Sequence, residues 1–151
     1  MYKLLISVLL SLSVLVPAIA QAELVVVGNP SVKTQLTRRQ LIDIYLGKAT
    51  VLPSGDSAVL FEYGSGHPLN NELYQLVIKR TENQILMNRQ KQLVSGKFKA
   101  PTVVTDQSDL LKRVAATPNA IGYIDIQYVD DSVVVLYRPE PEALVGRTVS
   151  F

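Results

Sequence analysis

The sequence predicts an α/β domain in which a central mixed sheet of four or five strands is flanked by helices. Segments with the pattern of strands alternate with segments that carry apolar residues at helical spacing, which is typical of α/β folds. The strand segments are continuous apolar runs, which indicates strands that are covered on both faces. The chain has 151 residues, and the part that follows a predicted leader has the length of one domain.

That leader has the pattern of a cleavable secretory signal. Lys3 supplies a positive charge, residues 4–16 form an apolar run that only serines interrupt, and residues 20–22 provide an Ala-x-Ala cleavage site. The alternative is an uncleaved membrane anchor, but the run is shorter than the ~20 residues that span a bilayer. We therefore expect residues 1–22 to be a signal peptide and residues 23–151 to form the exported domain.

The first strand and helix follow directly. Residues 23–28 are a continuous, mostly β-branched run that ends at Gly28, which predicts a buried strand. Thr37 and Gln40 have the three-residue spacing of a capping box, so a helix begins after Thr37. Gly47 follows the apolar face of this helix and ends it.

A second strand and helix come next. Residues 53–56 (Pro-Ser-Gly-Asp) predict a turn, and residues 58–62 form the apolar strand that follows it. Residues 63–68 are a glycine-rich connection, and residues 69–79 carry leucine and valine at helical spacing.

Two more helices are predicted in the second half of the chain. Thr81 and Gln84 repeat the capping-box spacing and begin a helix over residues 82–94. Thr105 or Asp106 caps the last helix. That helix continues through Ala116.

Three short apolar runs complete the predicted sheet. Residues 103–104 predict a short strand, and residues 120–124 and 132–137 predict two longer ones. A turn at residues 117–119 precedes the first of these longer runs, because Asn119 tolerates a positive φ.

Composition excludes several classes of function. Cysteine is absent, so disulfides, thiolate metal sites and the lipid-modified cysteine of an exported lipoprotein are excluded. An exported domain without disulfides and without a lipid anchor favours the bacterial periplasm, and full secretion is the alternative. The formal net charge of +2 is modest, which argues against nucleic acid as a partner.

Side chains suited to catalysis are scarce. His67 is the single histidine, and Gly64-Ser65-Gly66 lacks the spacing of the Gly-x-Ser-x-Gly nucleophile elbow. A lone histidine without a neighbouring carboxylate cluster does not predict a metal site. We therefore expect no enzymatic activity, no metal and no cofactor.

Residues 61–68 (Phe-Glu-Tyr-Gly-Ser-Gly-His-Pro) are the most informative segment, because they lie between a predicted strand and a predicted helix. The glycines allow backbone N–H groups to approach a ligand closely, and the helix N-terminus adds free donors and a partial positive charge. With the Ser65 hydroxyl, these groups predict an anion cradle, which a protonated His67 would strengthen. The alternative is a tight turn in which Ser65 or His67 caps the helix.

Three segments resemble those of phosphate ABC transporter substrate-binding proteins. They are residues 36–48 (LTRRQLIDIYLGK), the Gly-Ser-Gly at 64–66, and residues 117–123 (TPNAIGY), in which Asn119 replaces a glycine. Their order and spacing agree with the family. The resemblance implies a single lobe of the type II periplasmic binding protein-like fold.

The resemblance also implies a set of ligand contacts. Proteins of this family hold their ligand between two α/β lobes with hydroxyls, backbone amides and an arginine. The implied contributions here are the Ser65 hydroxyl and the backbone amides of Gly64, Ser65, Gly66 and His67. Ser31, which follows the first strand, matches another ligand position by location alone. The implied ligand is phosphate or another small anion.

The sequence departs from this family in two ways. Phe61 stands where the family loop has an arginine, Tyr63 where it has an acid, and His67 where it has a threonine. The main anion-neutralising side chain is therefore missing, while Glu62 places a carboxylate nearby that weakens anion binding unless it is turned away. In addition, a two-lobed binding protein needs about twice this length.

These observations lead to two hypotheses about function. The leading one is an exported, non-enzymatic domain that resembles solute-binding proteins and binds phosphate or another small anion at the loop of residues 64–67. The alternative is a protein-interaction or sensory accessory module that docks on a membrane sensor, a transporter or an outer-membrane protein without binding phosphate. The basic residues between positions 79 and 113 are the candidate surface for such docking.

Overall fold

The computed structural model describes residues 23–140, so the predicted signal peptide and residues 141–151 lie outside the described part of the chain. The strands are β1 (Leu24–Gly28), β2 (Val59–Tyr63), β3 (Thr102–Val104), β4 (Ala120–Asp125) and β5 (Val134–Tyr137). The helices are α1 (Arg38–Tyr45), α2 (Pro68–Leu73), α3 (Glu82–Val94) and α4 (Gln107–Ala116), with a π-helical segment at Tyr74–Ile78 and a 3₁₀ turn at Ile126–Tyr128.

The five strands form one mixed sheet in the order β3-β2-β4-β1-β5. Strand β2 runs parallel to β3 and β4, whereas β1 runs antiparallel to both β4 and β5. Every residue of β1 and β4 is buried, as expected for strands with helices on both faces. The predicted mixed α/β sheet is therefore confirmed.

The helix ends follow the local signals in the sequence. Thr37 with Gln40 and Thr81 with Gln84 both form complete capping boxes, in which each side chain bonds the other residue's backbone N–H. Asp106 is the N-cap of α4 and accepts from the backbone N–H of Asp109.

Two predicted elements differ in detail. The helix expected over residues 69–79 begins at Pro68 and changes to π-helical geometry after Leu73, and Lys79 ends it with a left-handed φ of 57°. The last strand begins at Val134 rather than at Ser132, because Ser132 bonds to Asp130 in the preceding turn.

Helix α4 packs closely on the centre of the sheet. A Cβ added at Gly122 of β4 would lie 2.8 Å from a methyl carbon of Leu110, so the Leu110 side chain would have to shift to admit a side chain at this position. Within residues 23–140, no helix combines the length and apolar character needed to cross a bilayer.

Candidate functional site

The loop of residues 64–67 leaves the sheet where β2 and β3 end, and it leads directly into α2. The backbone N–H of His67 donates to the carbonyl of Gly64 at 3.1 Å, so the loop is a tight turn. Gly66 has a φ of 79°, a conformation that a residue with a side chain adopts only with strain. Residues 64–66 are exposed, and the described residues offer no acceptor to the backbone N–H groups of Ser65 and Gly66.

Asn70 of α2 fixes the start of this loop. Its side-chain amide donates to the carbonyls of Tyr63 and Gly64, both at 2.9 Å, and its Oδ1 accepts from the Tyr63 backbone N–H and the Tyr123 hydroxyl. Only 1% of Asn70 is exposed, so these bonds replace water at a buried amide. Sequence reasoning missed Asn70, although an asparagine between two inward-facing leucines on an amphipathic helix was an available signal.

Three tyrosine rings form a cluster that contacts this buried amide through Tyr63 and Tyr123. The Tyr63 hydroxyl donates to the Tyr123 carbonyl at 2.8 Å, and the Tyr63 and Tyr45 rings each meet the Tyr123 ring edge to face. Burial raises the pKa of Tyr123 well above its ordinary value, and the nearby Glu62 carboxylate adds to the shift. The Tyr63 and Tyr123 hydroxyls therefore stay protonated and serve as hydrogen-bond donors.

His67 is the N-cap of α2. Its Nδ1 accepts from the backbone N–H of Leu69 at 3.2 Å, and its ring stacks on the Tyr63 ring with centroids 4.2 Å apart. This is the capping role that the sequence left open as the alternative to an anion ligand. Because Nδ1 acts as an acceptor, the cap requires this nitrogen to carry no proton.

The Ser65 hydroxyl bonds to an acid. It donates to Oε1 of Glu82 at 2.8 Å, and Glu82 lies in the first turn of α3. An anion that used this hydroxyl would therefore lie next to a carboxylate.

Glu62, the acid that the sequence predicted to weaken anion binding, is paired with Arg89 of α3. Oε1 of Glu62 accepts from Arg89 Nη1 at 2.9 Å, and Arg89 Nε donates to the Tyr45 carbonyl at 2.8 Å. The side chains are 12% and 5% exposed, so the pair is almost dry. Burial opposes the charge on Arg89, but attraction to Glu62 and the hydrogen bond between them outweigh it, and the pKa of Arg89 is raised.

This ion pair was not predicted from the sequence. The signal for a buried Arg89 was its position four residues after the apolar Ile85, which places both on the inner face of α3. The pair neutralises Glu62, and it also commits Arg89 to the core rather than to a ligand. Two polar atoms beside it, the Tyr45 hydroxyl and Arg89 Nη2, are buried and have no hydrogen-bond partner among residues 23–140.

Ser31 lies at the opposite end of the sheet from the loop. Its hydroxyl accepts from the backbone N–H of Asn119 at 2.8 Å, just before β4 begins, where β2 also begins. Ser65 follows the end of β2, and the four residue steps along this strand span about 13 Å. The structure therefore does not bring Ser31 and Ser65 together around one small anion.

The basic stretch between positions 79 and 113 does not form one uniformly charged face. Arg89 is buried against Glu62, and Arg113 is paired with Asp109 on the same helix at 2.9 Å. The outer side of α3 instead exposes four apolar side chains. These residues are Leu86, Met87, Leu93 and Val94.

Metal ligands were not expected from the sequence. Over the part of the chain that the structure describes, no group of three or more His, Asp or Glu side chains is placed to hold a metal ion.

Known structures share this fold. A protein of Clostridium perfringens, assigned to the phosphate ABC transporter substrate-binding proteins and solved with bound phosphate, matches with a TM-score of 0.61 and 20% identity over 84% of this chain and 51% of its own. An ABC-type phosphate transport receptor from Vibrio cholerae matches with a TM-score of 0.61 and 20% identity, over 84% of this chain and 52% of its own. PstS from Borrelia burgdorferi matches with a TM-score of 0.61 and 17% identity, over 82% and 51% of the two chains.

The chain thus spans about half the length of the solved proteins that it matches. The predicted α/β fold is confirmed, and these similarities show that it is shared with about half of each of the solved proteins. No family model and no curated protein matches the sequence.

Proposed function

We propose that this chain is an exported, non-enzymatic domain that binds a small anion, phosphate in the first instance, at the loop of residues 64–67. One observation carries the proposal: the exposed Ser65 and Gly66 residues are the centre of a tight turn that leads into α2, and their backbone amides are unpaired among the described residues, in a fold shared with a protein that was solved with phosphate. Unpaired backbone N–H groups at such a turn are suited to anions.

The structure also supports the expectation that the affinity of this loop for an anion is low. The loop is open to water, where a hydrogen bond to an anion competes with hydration and charge interactions are weak. The Ser65 hydroxyl must turn away from Glu82, or be shared with it, before it can donate to a ligand. We therefore expect binding in the millimolar range unless a second protein covers the loop.

Isothermal titration of the purified protein with phosphate, sulfate and acetate tests this proposal. We expect heat and a rise in melting temperature with millimolar phosphate, and weaker phosphate binding in Ser65→Ala, which keeps the backbone amides but loses the hydroxyl. Ser95→Ala is a matched control, because the exposed Ser95 hydroxyl also makes a single hydrogen bond, to the Gln92 carbonyl. Absence of heat and of any melting shift at millimolar concentrations of all three anions would refute anion binding.

Export is supported by the leader pattern in residues 1–22 and is tested separately. We expect the protein recovered from the periplasmic fraction of a bacterial host to begin at Glu23, as read by intact mass. A periplasmic protein that retains Met1 would contradict a cleaved signal and favour the membrane anchor.

A second candidate function is docking on a membrane-associated protein, favoured by the outer face of α3. Its four exposed apolar side chains include Met87, 64% exposed, and Val94, 80% exposed, and Lys91 is a basic residue of the same helix. We propose that the partner's surface is apolar with an acidic rim, because an apolar surface would pack on these side chains and acidic residues would pair with the basic Lys91. Co-purification that is lost in a Met87→Glu/Val94→Glu variant would support docking, and recovery of the protein alone at every ionic strength would contradict it.

A further inference from the structure

A cavity of about 200 Å³ lies at the opposite end of β2 from the loop of residues 64–67. It is partly open to solvent and is bordered by the end of α1, the start of β2 and the segment that follows α3. Ten residues line it: Ile44, Ala49, Thr50, Ser57, Ala58, Val59, Leu60, Lys97, Phe98 and Lys99.

The floor of this cavity is apolar. Phe98 is 7% exposed and packs on the backbone at Gly47, where an added Cβ would lie 3.0 Å from the ring. Leu60 and Ile44 are buried beside it, and Ala58 contributes a small, half-buried side chain. Because Ala58 has a small side chain, it leaves cavity volume that a larger side chain at this position would fill.

The mouth of the cavity is positively charged. Lys97 and Lys99 flank Phe98 in the chain and are both exposed, and none of the ten lining residues is acidic. Thr50 and Ser57 add exposed hydroxyls to the lining. A ligand held here would place an apolar body on Phe98 and Leu60 and an anionic group near Lys97 and Lys99.

The volume limits the size of that ligand. An apolar cavity of about 150 Å³ admits one benzene molecule, whereas drug-sized ligands occupy about 300–1,000 Å³. A cavity of about 200 Å³ therefore suits one ring, or a short alkyl chain, with a single carboxylate.

We propose that this cavity is a second binding site, which takes a small apolar monocarboxylate whose carboxylate pairs with Lys97 and Lys99. The site shares no residue with the anion loop. It therefore stands whether or not the loop binds phosphate.

Benzoate is the probe, and benzamide is its uncharged analogue. In isothermal titration at low salt we expect benzoate to bind more tightly than benzamide. Lys97→Ala and Lys99→Ala should each weaken benzoate binding by up to about fivefold, as for exposed ion pairs, and leave benzamide binding unchanged. Lys112→Ala removes an exposed lysine of α4 and should have no effect.

Filling the cavity gives an independent arm of the test. Ala58→Leu should abolish benzoate binding while circular dichroism shows an intact fold, and Ser65→Ala should leave benzoate binding unchanged. Three results would overturn the proposal: no benzoate heat at millimolar concentration, equal binding of benzamide, or loss of benzoate binding in Ser65→Ala. If Ala58→Leu does not fold, the lysine variants decide.

Discussion

Replacing Glu82 with glutamine should strengthen anion binding at the loop of residues 64–67. The Ser65 hydroxyl lies 2.8 Å from the Glu82 carboxylate, so an anion that accepts from this hydroxyl lies roughly 5 Å from that charge, given a second hydrogen bond of ordinary length. Glutamine keeps an acceptor for Ser65 and removes only the charge.

The magnitude follows from Coulomb's law. At roughly 5 Å in water, two unit charges repel by about 0.8 kcal/mol, which corresponds to about a fourfold change in the dissociation constant. A phosphate dianion doubles this energy. At about 1 M salt the Debye length is about 3 Å, so most of the gain disappears.

The assay is phosphate titration of Glu82→Gln and wild type at low and at high salt. Glu140→Gln is the matched control, because Glu140 is exposed and follows β5, which lies three strand spacings, or about 14 Å, from β2. Unchanged or weaker phosphate binding by Glu82→Gln at low salt would refute the placement of the anion beside Ser65. An equal gain in Glu140→Gln would show an effect of net charge alone.

Three further predictions concern stability. Glu62→Gln leaves the buried Arg89 without its counter-charge and should lower the free energy of unfolding by about 3–5 kcal/mol. This corresponds to a fall in melting temperature of about 10 °C or more. A fall of only one or two degrees would contradict a buried ion pair that excludes water. Thr81→Ala removes the N-cap of α3 and should lower the free energy of unfolding in urea by about 1 kcal/mol. Hydrogen bonds from the Thr105 backbone and from Arg113 lower the pKa of Asp109. The ionised carboxylate therefore contributes to the stability of the fold above the unfolded-state pKa, and this contribution is lost as the pH falls through the folded-state pKa. Asp109→Asn should therefore make the free energy of unfolding depend less on pH in the acid range. An unchanged pH dependence would contradict this.

The parts of the fold that could be predicted depend on neighbouring residues. A capping box such as Thr37 with Gln40 needs contacts only three residues apart, and the positive φ of Asn119 follows from its position in a turn. Continuous apolar runs identified β1, β2 and β4 for a similar reason, since burial on both faces is visible in the residues themselves.

The parts that could not be predicted depend on contacts distant in the chain. Glu62 meets Arg89 across 27 positions and Ser65 meets Glu82 across 17, so no local spacing shows either pair. The placement of Ser31 was equally hidden, because it depends on the antiparallel direction of β1, which brings the end of that strand to the beginning of β2. The sequence indicated the loop as a candidate site, whereas the charges around it are set by tertiary packing.

Those charges decide what a covering partner would do at the loop. Covering excludes water and lowers the effective dielectric constant, so attraction between the Ser65 and Gly66 amides and an anion grows. Repulsion from the Glu82 carboxylate grows in the same proportion: at an effective dielectric constant near 20 it reaches about 3 kcal/mol at roughly 5 Å, more than a hundredfold in affinity. A second wall therefore favours an anion most when it also offsets the charge of Glu82. A partner that brings an arginine or a lysine to this carboxylate would bind the anion tightly together with the loop, whereas with an apolar partner the repulsion from Glu82 would offset much of the gain in affinity.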